Sequence, residues 1–595
     1  MLMRLARSVR EYKTASILTL LFIVLEAIIE TFIPFITSEM IDRIELNSPM
    51  TDILKLGGLL IIMAGLSLTC GGVAAKTCAR ASAGFAKNLR HDLFHKIQDY
   101  SFENIDKFSS TSLVTRMTTD VANVQMSYMM IIRTAVRAPL MLIFSIAMAF
   151  YMGGLLAMAF VVVVPVLGLG LYFVSRKAMP AFRAVFRKYD RLNESIEENV
   201  RGMRVVKGFS REEYEKDKFG RAAEDIRGDF TRAERIVALN SPLMQICIYI
   251  NMIFVLVVGA KLIIESGGAI VNVGDISAML TYGMQILIQL MMLSMIYVII
   301  TMSSESMKRI VEVLEETPAL ASPAEGAITE VRDGSVDFEG VSFKYSAKAE
   351  RFALSDIDLH IESGMTVGIL GGTGSSKTSL VQLIPRLYDA TEGTVRVGGV
   401  DVRDYDLDTL RGAVAMVLQK NLLFSGTIKE NLRWGNEHAT DEEMEEACRL
   451  ASAHDFITAF PDGYDTHIEQ GGTNVSGGQK QRLCIARALL KKPKILILDD
   501  STSAVDTRTD AMIRAGFKTY IPETTKIIIA QRVSSVQDAD LILVMENGSV
   551  VGAGTHDQLL ASNEIYREVY TQQTVGHNTD TDASCNSGKE VSDHA

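Results

Sequence analysis

The sequence predicts a membrane domain built only from long α-helices, followed by an α/β domain organised around a phosphate-binding loop. Two properties of the composition support this division. The chain has 595 residues, too many for one hydrophobic core. It is also 48% hydrophobic although 22% of it is charged, and the long apolar runs all precede about residue 305. After that point apolar and polar residues alternate as they do in soluble α/β domains.

Six apolar runs in the first half are each about 20 residues long, the length that the hydrocarbon core of a bilayer requires. They cover residues 17–35, 53–73, 129–152, 155–174, 243–264 and 276–300. We therefore expect six transmembrane helices.

The charges of the connecting segments predict the orientation. The start, "MLMRLARSVREYK", is basic, and so are the two long connectors with helical spacing. The segments "EMIDRIELNSPMTD" and "ESGGAIVNVGD" are mainly acidic, and "YMGG" is uncharged. Because Lys and Arg favour the cytoplasmic side, both termini and two projecting helical loops are expected in the cytoplasm.

Charge and cysteine content exclude other classes. The net charge of −11 leaves no basic footprint, so nucleic acid is not expected as a partner. The six Cys show no metal-binding spacing and are expected to be free thiols.

A phosphate-binding loop follows the strand-like segment "GMTVGIL" and precedes "SLVQLIPRLYD", which has the pattern of a helix. It fits G-x-x-x-x-G-K-[ST] except that Ser376 replaces the last Gly. Backbone N–H groups would cradle phosphates, Lys377 would supply positive charge, and the Thr378 hydroxyl would bind Mg²⁺. The candidate nucleotide-binding residues here are Gly371, Gly372, Thr373, Gly374, Ser375, Ser376, Lys377, Thr378 and Ser379.

Two further motifs accompany this loop. The apolar run "ILILDD" predicts a buried strand that ends in Asp499, a carboxylate that can hold Mg²⁺, and continues into Asp500. Between loop and strand, "NVSGGQKQRLCIARALL" places Ser476, Gly477, Gly478 and Gln479 before a run with helical spacing. A hydroxyl and free N–H groups at a helix start can bind an anion, although an ordinary helix cap has the same pattern.

With these three motifs in order, the chain resembles an ABC exporter half-transporter, in which six membrane helices are fused to one ATPase domain. The resemblance covers nearly everything from Met1 to about Gln573. It implies the ABC exporter fold, ATP and Mg²⁺ as ligands, and ATP hydrolysis coupled to transport. It also implies that Tyr345 stacks on adenine, that Gln419 reaches Mg²⁺ with Thr378 and Asp499, and that Asp506 of "SAVD" lies in the D-loop. The segments "NIDKFSSTSLVTRMTTDV" and "ENVRGMRVVKGFSREEYE" match the family's two coupling loops.

Two residues depart from the family pattern. Members that hydrolyse ATP carry Glu after the Mg²⁺-binding Asp, and His in the segment that is "IIIAQRVSSV" here; this chain has Asp500 and Gln531 instead. The Asp carboxylate falls about 1.5 Å short of a Glu carboxylate, and a misplacement of about 1 Å can cost on the order of 10²-fold in rate. Gln cannot carry a proton. We therefore expect this site to bind ATP and to hydrolyse it poorly.

The family pairs each P-loop with the signature motif of a second subunit. A poor base beside a sound signature, Ser476 to Gln479, predicts one subunit of a heterodimeric, multidrug-type bacterial exporter in the cytoplasmic membrane, whose partner carries the catalytic Glu and His. The substrate expected is a small amphiphilic or lipid-like molecule. Two alternatives stay open: a homodimeric exporter with slow ATPase activity, and an ATP-gated channel or sensor.

Candidates for substrate contact lie in the membrane half. Glu26 and Glu30 fall on one helix face and suit cationic amphiphiles if they face the cavity; otherwise they pair with Arg133 or Arg137, or lie in the outer headgroup region. The last span carries Met and Gln side chains that either form an adaptable surface for the substrate or pack against neighbouring helices. They are Met284, Gln285, Gln289, Met291, Met292 and Met295.

The predicted domain organisation has four parts. The transmembrane domain is expected over residues 1–310, a linker rich in Pro, Ala and Gly over 311–334, the nucleotide-binding domain over 335–574, and a disordered polar tail over 575–595.

Overall fold

The computed structural model describes residues 2–267, 270–323, 325–346, 349–500 and 505–585. The chain forms two compact units. The first holds the residues up to Glu316 except Tyr100–Lys107, and the second holds Tyr100–Lys107 together with the chain from Thr317 onwards.

The first unit is helical throughout its described elements. The helices of the N-terminal half are α1 (Leu2–Ala6), α2 (Lys13–Glu45), α3 (Met50–Gln98), α4 (Phe102–Phe108), α5 (Ser110–Thr115), α6 (Val121–Gly153), α7 (Met158–Arg201), α8 (Met203–Gly208), α9 (Glu212–Ala238), α10 (Asn240–Ser266) and α11 (Val273–Glu315). Of these, α4 belongs to the second unit except for Phe108. A π-helical turn, Arg116–Asp120, joins α5 to α6.

Among the described residues of this part, six stretches are long and apolar enough to cross a membrane, which confirms the predicted number of spans: Arg4–Glu45, Met50–Gln98, Ser110–Gly153, Met158–Phe182, Glu212–Ser266 and Val273–Glu315. They are longer than the apolar runs that predict them because the helices continue into polar sequence at their ends. In α11, for instance, the helix ends at Glu315, inside the segment predicted as linker.

Buried polar contacts hold the helices of the first unit together. Asp120 is fully buried and accepts hydrogen bonds from Ser306 (2.8 Å) and Arg309, both on α11. Tyr282, also on α11, donates to the backbone oxygen of Thr31 at 2.7 Å. These bonds satisfy groups whose burial would otherwise be costly.

The second unit is an α/β fold. Its strands are β1 (Val336–Phe343), β2 (Leu354–Ile361), β3 (Thr366–Gly371), β4 (Glu392–Val397), β5 (Val400–Asp401), β6 (Val414–Val417), β7 (Gly426–Thr427), β8 (His467–Ile468), β9 (Ile495–Asp499), β10 (Thr525–Ile529), β11 (Leu541–Glu546) and β12 (Ser549–Gly554). Its helices are α12 (Lys377–Gln382), α13 (Leu407–Ala413), α14 (Ile428–Arg433), α15 (Asp441–Leu450), α16 (His454–Thr458), α17 (Gly477–Leu490), α18 (Thr507–Tyr520), α19 (His556–Ser562) and α20 (Glu564–Cys585).

The central sheet of this unit has the strand order β12-β11-β3-β10-β9-β6, with only the β11–β12 pair antiparallel. Along β9, Leu496 and Leu498 enter one hydrophobic core while Ile495 and Ile497 enter the other. Both faces of the sheet are therefore covered, as a parallel sheet requires. A smaller sheet, β2-β1-β4-β5, contributes to the second core.

One sequence-based expectation differs from the structure. The helix predicted for "SLVQLIPRLYD" ends at Gln382, because Pro385 cannot donate to a helical hydrogen bond and restricts the residue before it. Helix α20 runs to Cys585, and residues 586–595 of the predicted tail lie outside the described residues. The predicted domain boundaries, including the start of the tail at residue 575, stay predictions.

Candidate functional site

The carboxyl ends of three adjacent strands form the candidate site. Strand β10 lies between β3 and β9, and Ile529 is level with both Ile369 and Asp499. The P-loop follows β3, the two acids end β9, and Gln531 follows β10. This topology brings residues that are far apart in sequence to one edge of the sheet, where ligands bind in open α/β folds.

A cavity of about 530 Å³ opens at this edge. Most of the predicted residues line it: Gly371, Gly372, Thr373, Gly374, Ser376, Lys377, Thr378, Ser379, Gln419, Asp499, Asp500 and Gln531. The P-loop and the strand that ends in Asp499 therefore line one cavity. The role of these residues in nucleotide binding stays a prediction.

The P-loop is closely held. Lys377 Nζ donates to the backbone oxygens of Gly371 (2.9 Å) and Gly372 (2.8 Å) and to Ser375 Oγ (3.2 Å). A side chain at Gly371 would meet the backbone oxygen of Met545 at 2.3 Å, so this position requires glycine. Burial lowers the pKa of Lys377, while Asp499 and Asp500 oppose that effect.

Ser376, the departure from the P-loop pattern, adopts a left-handed backbone with φ of 69°. A non-glycine residue pays about 1–2 kcal/mol for this conformation. The loop thus keeps the geometry that glycine normally provides, with strain at one residue.

Thr378 and Asp499 form the candidate Mg²⁺ site. Thr378 Oγ1 donates to Asp499 Oδ2 at 2.9 Å, and Asp499 is only 2% exposed. Burial raises the pKa of Asp499, while the bond from Thr378 lowers it. A hydroxyl and a carboxylate beside Lys377 are the ligand types that suit Mg²⁺ bound with nucleotide phosphates, so these residues fit the ion, with Gln419 on the same cavity wall.

Asp500 and Gln531 contact each other. Asp500 is buried at the end of β9 and has a positive φ of 48°, while Gln531 Nε2 donates to its Oδ2 at 2.8 Å. The two departures from the family pattern are therefore one contact. The amide donates a hydrogen bond to the carboxylate but cannot take up a proton.

Tyr345 lies beside this cavity, not among the residues found to line it. Its hydroxyl bonds Ser379 Oγ at 2.7 Å, and its ring centroid is 5.2 Å from that of Tyr388. The residue is 45% exposed. Its role in adenine stacking stays a prediction.

The signature residues lie in a separate hollow. Ser476, Gly477 and Gly478 line it together with Asp506. Ser476 is the N-cap of α17: its Oγ accepts from Gln479 N at 3.3 Å, and Gln479 Oε1 accepts from Ser476 N at 2.9 Å. Ser476 and Gln479 therefore form an ordinary helix cap within the chain. Gly477 and Gly478 line the hollow.

Asp506 similarly caps α18 by accepting from Thr509 N at 3.0 Å. The preceding D-loop residues 501–504 lie outside the described residues.

Sequence reasoning missed the C-terminal wall of the P-loop cavity. Ile565, Tyr566 and Val569, all on α20, line it. Their spacing predicts an amphipathic helix, but the sequence has no signal for which surface this helix covers.

The membrane candidates are mostly engaged in contacts between helices. Arg137 pairs with Glu30 at 2.6 Å and lies 3.6 Å from Glu26. Gln285 Oε1 accepts from Ser145 Oγ at 3.1 Å. These contacts favour the packing interpretation for both groups, whereas Met284 and Met295 are exposed.

Comparison with known proteins gives matches along both units. Residues 16–291 match the family model described as the ABC transporter transmembrane region, and residues 354–503 match the model described as ABC transporter.

The uncharacterized ABC transporter ATP-binding protein YfiB of Bacillus subtilis is 35% identical over 564 residues, which cover 95% of this chain and 97% of that protein. A fatty acid ABC transporter ATP-binding/permease protein of Mycobacterium bovis is 33% identical over 481 residues, covering 81% of this chain and 75% of that protein.

A solved structure, of a bacterial Atm1-family ABC exporter with ATP bound, superimposes with a TM-score of 0.81. It covers 95% of this chain and 98% of the other at 24% identity, a likeness of fold. The predicted fold class, six membrane helices followed by an α/β ATPase domain, is confirmed.

Proposed function

The chain belongs to the ABC transporter family, and from that premise we propose that it is one subunit of a heterodimeric exporter. Its own P-loop site binds ATP with Mg²⁺ and hydrolyses it slowly, and its signature motif completes the faster site of a partner subunit. The contact between Asp500 and Gln531 carries this proposal.

Tight nucleotide binding is expected because the binding groups are present. The P-loop amides and Lys377 would hold the phosphates, and Thr378, Asp499 and Gln419 would hold Mg²⁺. When bound, Mg²⁺ neutralises charge on the phosphates. Asp500 and Gln531 instead lower the rate of the hydrolysis step.

Two features slow that step. The Asp500 carboxylate is one methylene shorter than the Glu of active family members, and it is already bonded to Gln531 Nε2. Gln531 in turn offers a neutral donor where active members have His, so a contact that strengthens as charge develops on the γ-phosphate is weakened. Together these features favour a site that retains ATP.

The signature motif supports pairing with a second subunit. Ser476, Gly477 and Gly478 line a hollow with Asp506, whereas Lys377, Thr378 and Asp499 line the P-loop cavity. In this family a nucleotide lies between the P-loop of one subunit and the signature of another. This chain has a slow P-loop site and an unaltered Ser-Gly-Gly-Gln segment. That segment would therefore complete a fast site only with a partner that carries the catalytic Glu and His.

The transport proposal rests on the membrane half. We infer that six helices cross the cytoplasmic membrane, with both termini and the ATPase domain in the cytoplasm, as the basic connectors favour. A small amphiphilic or lipid-like substrate is consistent with exposed Met284 and Met295, and one relative is described as a fatty acid transporter. Because Arg137 pairs with Glu30 and Glu26, these acids suit cationic substrates less than their sequence positions alone indicate.

Purification from native membranes tests the proposal. The affinity-tagged chain should bring down one stoichiometric partner of similar mass that carries Glu and His at the equivalent positions. The pair should hydrolyse ATP, and the lone chain should hydrolyse it slowly. A lone chain that forms an active homodimer would support the homodimeric exporter instead, and ion conductance in a planar bilayer with uncleaved nucleotide would support a channel.

A further inference from the structure

The C-terminal helix α20 forms a wall of the P-loop cavity. Ile565, Tyr566 and Val569 line the cavity together with Lys377 and Gln531. The motifs of the ATPase domain do not include this helix, and the proposed function does not use it.

The start of α20 is firmly anchored. Tyr566 is 1% exposed, its hydroxyl bonds His556 Nδ1 at 2.7 Å, and its backbone N donates to Asn563 Oδ1 at 2.9 Å. Asn563 Nδ2 in turn donates to the backbone oxygen of Val551, on β12, at 3.2 Å. The helix therefore leaves a fixed point on the sheet edge and keeps its direction along the cavity.

Two turns further along, Gln573 makes a pair of bonds to the segment after β10. Its Oε1 accepts from Val533 N at 2.8 Å, and its Nε2 donates to the backbone oxygen of Gln531 at 2.9 Å. A carboxamide has one acceptor and one donor group in a plane, so it bonds this backbone as a neighbouring strand would. Both bonds satisfy main-chain groups, and they hold the chain on either side of Arg532.

The backbone that Gln573 holds is the one that carries the Gln531 side chain. Gln531 Nε2 lies 2.8 Å from Asp500 Oδ2, at the edge of the cavity that the P-loop also lines. Because a side chain follows its backbone, loss of the two Gln573 bonds would let this amide move away from the cavity. The chain of contacts runs from α20 through Gln573 to Gln531 and ends at the P-loop cavity.

We propose that Gln573 is a positioning residue that holds Gln531 where it distinguishes a nucleoside triphosphate from a diphosphate. The inference rests on the proposed nucleotide site. Gln531 lines the cavity, and its Nε2 carries a second N–H besides the one bonded to Asp500. We infer that this second donor meets the terminal phosphate of a triphosphate, a group that a diphosphate lacks. Correct placement of that donor affects ATP and leaves ADP unaffected.

The test compares MgATP and MgADP affinities of the purified full-length chain by calorimetry. Gln573→Ala should weaken ATP binding about 5- to 10-fold, the equivalent of one lost hydrogen bond, and change ADP binding less than about twofold. Gln573→Glu keeps the acceptor for Val533 N, loses the donor, and should fall between. The neighbouring Gln572→Ala is the matched control, since Gln572 Nε2 bonds only the exposed Glu568 on the same helix among the contacts described, at 3.1 Å, and it should bind both nucleotides as the unmodified chain does.

A double-mutant cycle shows whether Gln573 acts through Gln531. Gln531→Ala should lower the ATP-to-ADP affinity ratio as Gln573→Ala does, and the double variant should lower it no further. This ratio does not depend on the fraction of folded protein, so it can be measured even for a variant that folds poorly.

Three outcomes overturn the inference. An ATP-to-ADP affinity ratio that is unchanged in Gln573→Ala, whether both affinities fall equally or neither falls, would mean that Gln573 only anchors the helix. Additive effects in the double variant would mean that Gln573 does not act through Gln531. If the unmodified chain binds neither nucleotide, the proposed nucleotide site fails and this inference fails with it.

Discussion

Restoring a longer acid and a histidine at the P-loop site should convert it from slow to fast hydrolysis. The change is Asp500→Glu together with Gln531→His. Glu extends the carboxylate by about 1.5 Å, the reach that positions an attacking water. His adds a donor whose contact with the γ-phosphate strengthens in the transition state.

The structure sets the size of the effect. A misplaced base costs on the order of 10²-fold and a lost transition-state donor about 10²- to 10³-fold. Against this, Asp500 has a φ of 48°, which Asp tolerates better than Glu, and Ser376 is strained at 69°. We expect the double variant to turn over ATP about 10²- to 10³-fold faster than the unmodified site.

The single changes should do much less. Asp500 Oδ2 and Gln531 Nε2 are 2.8 Å apart, so a longer acid at position 500 meets the amide before it reaches a new position. Asp500→Glu alone and Gln531→His alone should each raise turnover less than about tenfold. The double change should exceed the product of the two, because both groups act on one transition state.

The assay is phosphate release by the heterodimer, with the catalytic Glu of the partner replaced by Gln so that only this site reports. Adding Lys377→Ala to the double variant should abolish the gain and thereby assign it to this P-loop. If the unmodified site already turns over as fast as the double variant, Asp500 is a competent base. The homodimeric exporter would then be the better interpretation.

Three other perturbations test separate parts of the structure. Ser476→Arg should abolish ATPase activity of the proposed heterodimer, in which we expect Ser476 to face the nucleotide of the partner, and retained activity would show that the subunits do not share sites in this way. Tyr345→Ala should weaken ATP binding by about 1–3 kcal/mol, the value of a base stacked on an aromatic ring. Tyr345→Phe keeps the ring, loses the bond to Ser379 and is the control; equal affinity of all three chains in a fluorescence titration would remove Tyr345 from the site. Burial raises the pKa of Cys448 to about 12, so below that pH its thiolate is scarce and iodoacetamide at pH 8 should modify it only after unfolding; mass spectrometry that finds it modified in the folded protein would contradict the described burial.

The sequence by itself determined the order of the two parts and the candidate residues of the nucleotide site. Hydropathy over about 20 residues predicts a membrane helix because the bilayer sets one length for every span. Lys377, Thr378 and Asp499 were identifiable because phosphate and Mg²⁺ need particular groups at fixed spacing after a strand. The departures from the family pattern at Ser376, Asp500 and Gln531 are likewise identifiable from the sequence alone.

The tertiary structure decided which of these groups meet. Asp500 and Gln531 are separate departures in the sequence, and they become one contact of 2.8 Å only because β9 and β10 are adjacent and in register. The pairing of Arg137 with Glu30 also needed the packing of α2 against α6, since the sequence left Arg133 and the headgroup region equally open. Gln573 is the clearest case: a polar residue near a helix end has no distinguishing local pattern, and its bonds to Gln531 and Val533 depend on where α20 crosses the sheet edge. Local sequence spacing indicates which chemistry a motif can support. Contacts between distant segments depend on strand order and helix direction, which short-range patterns do not encode.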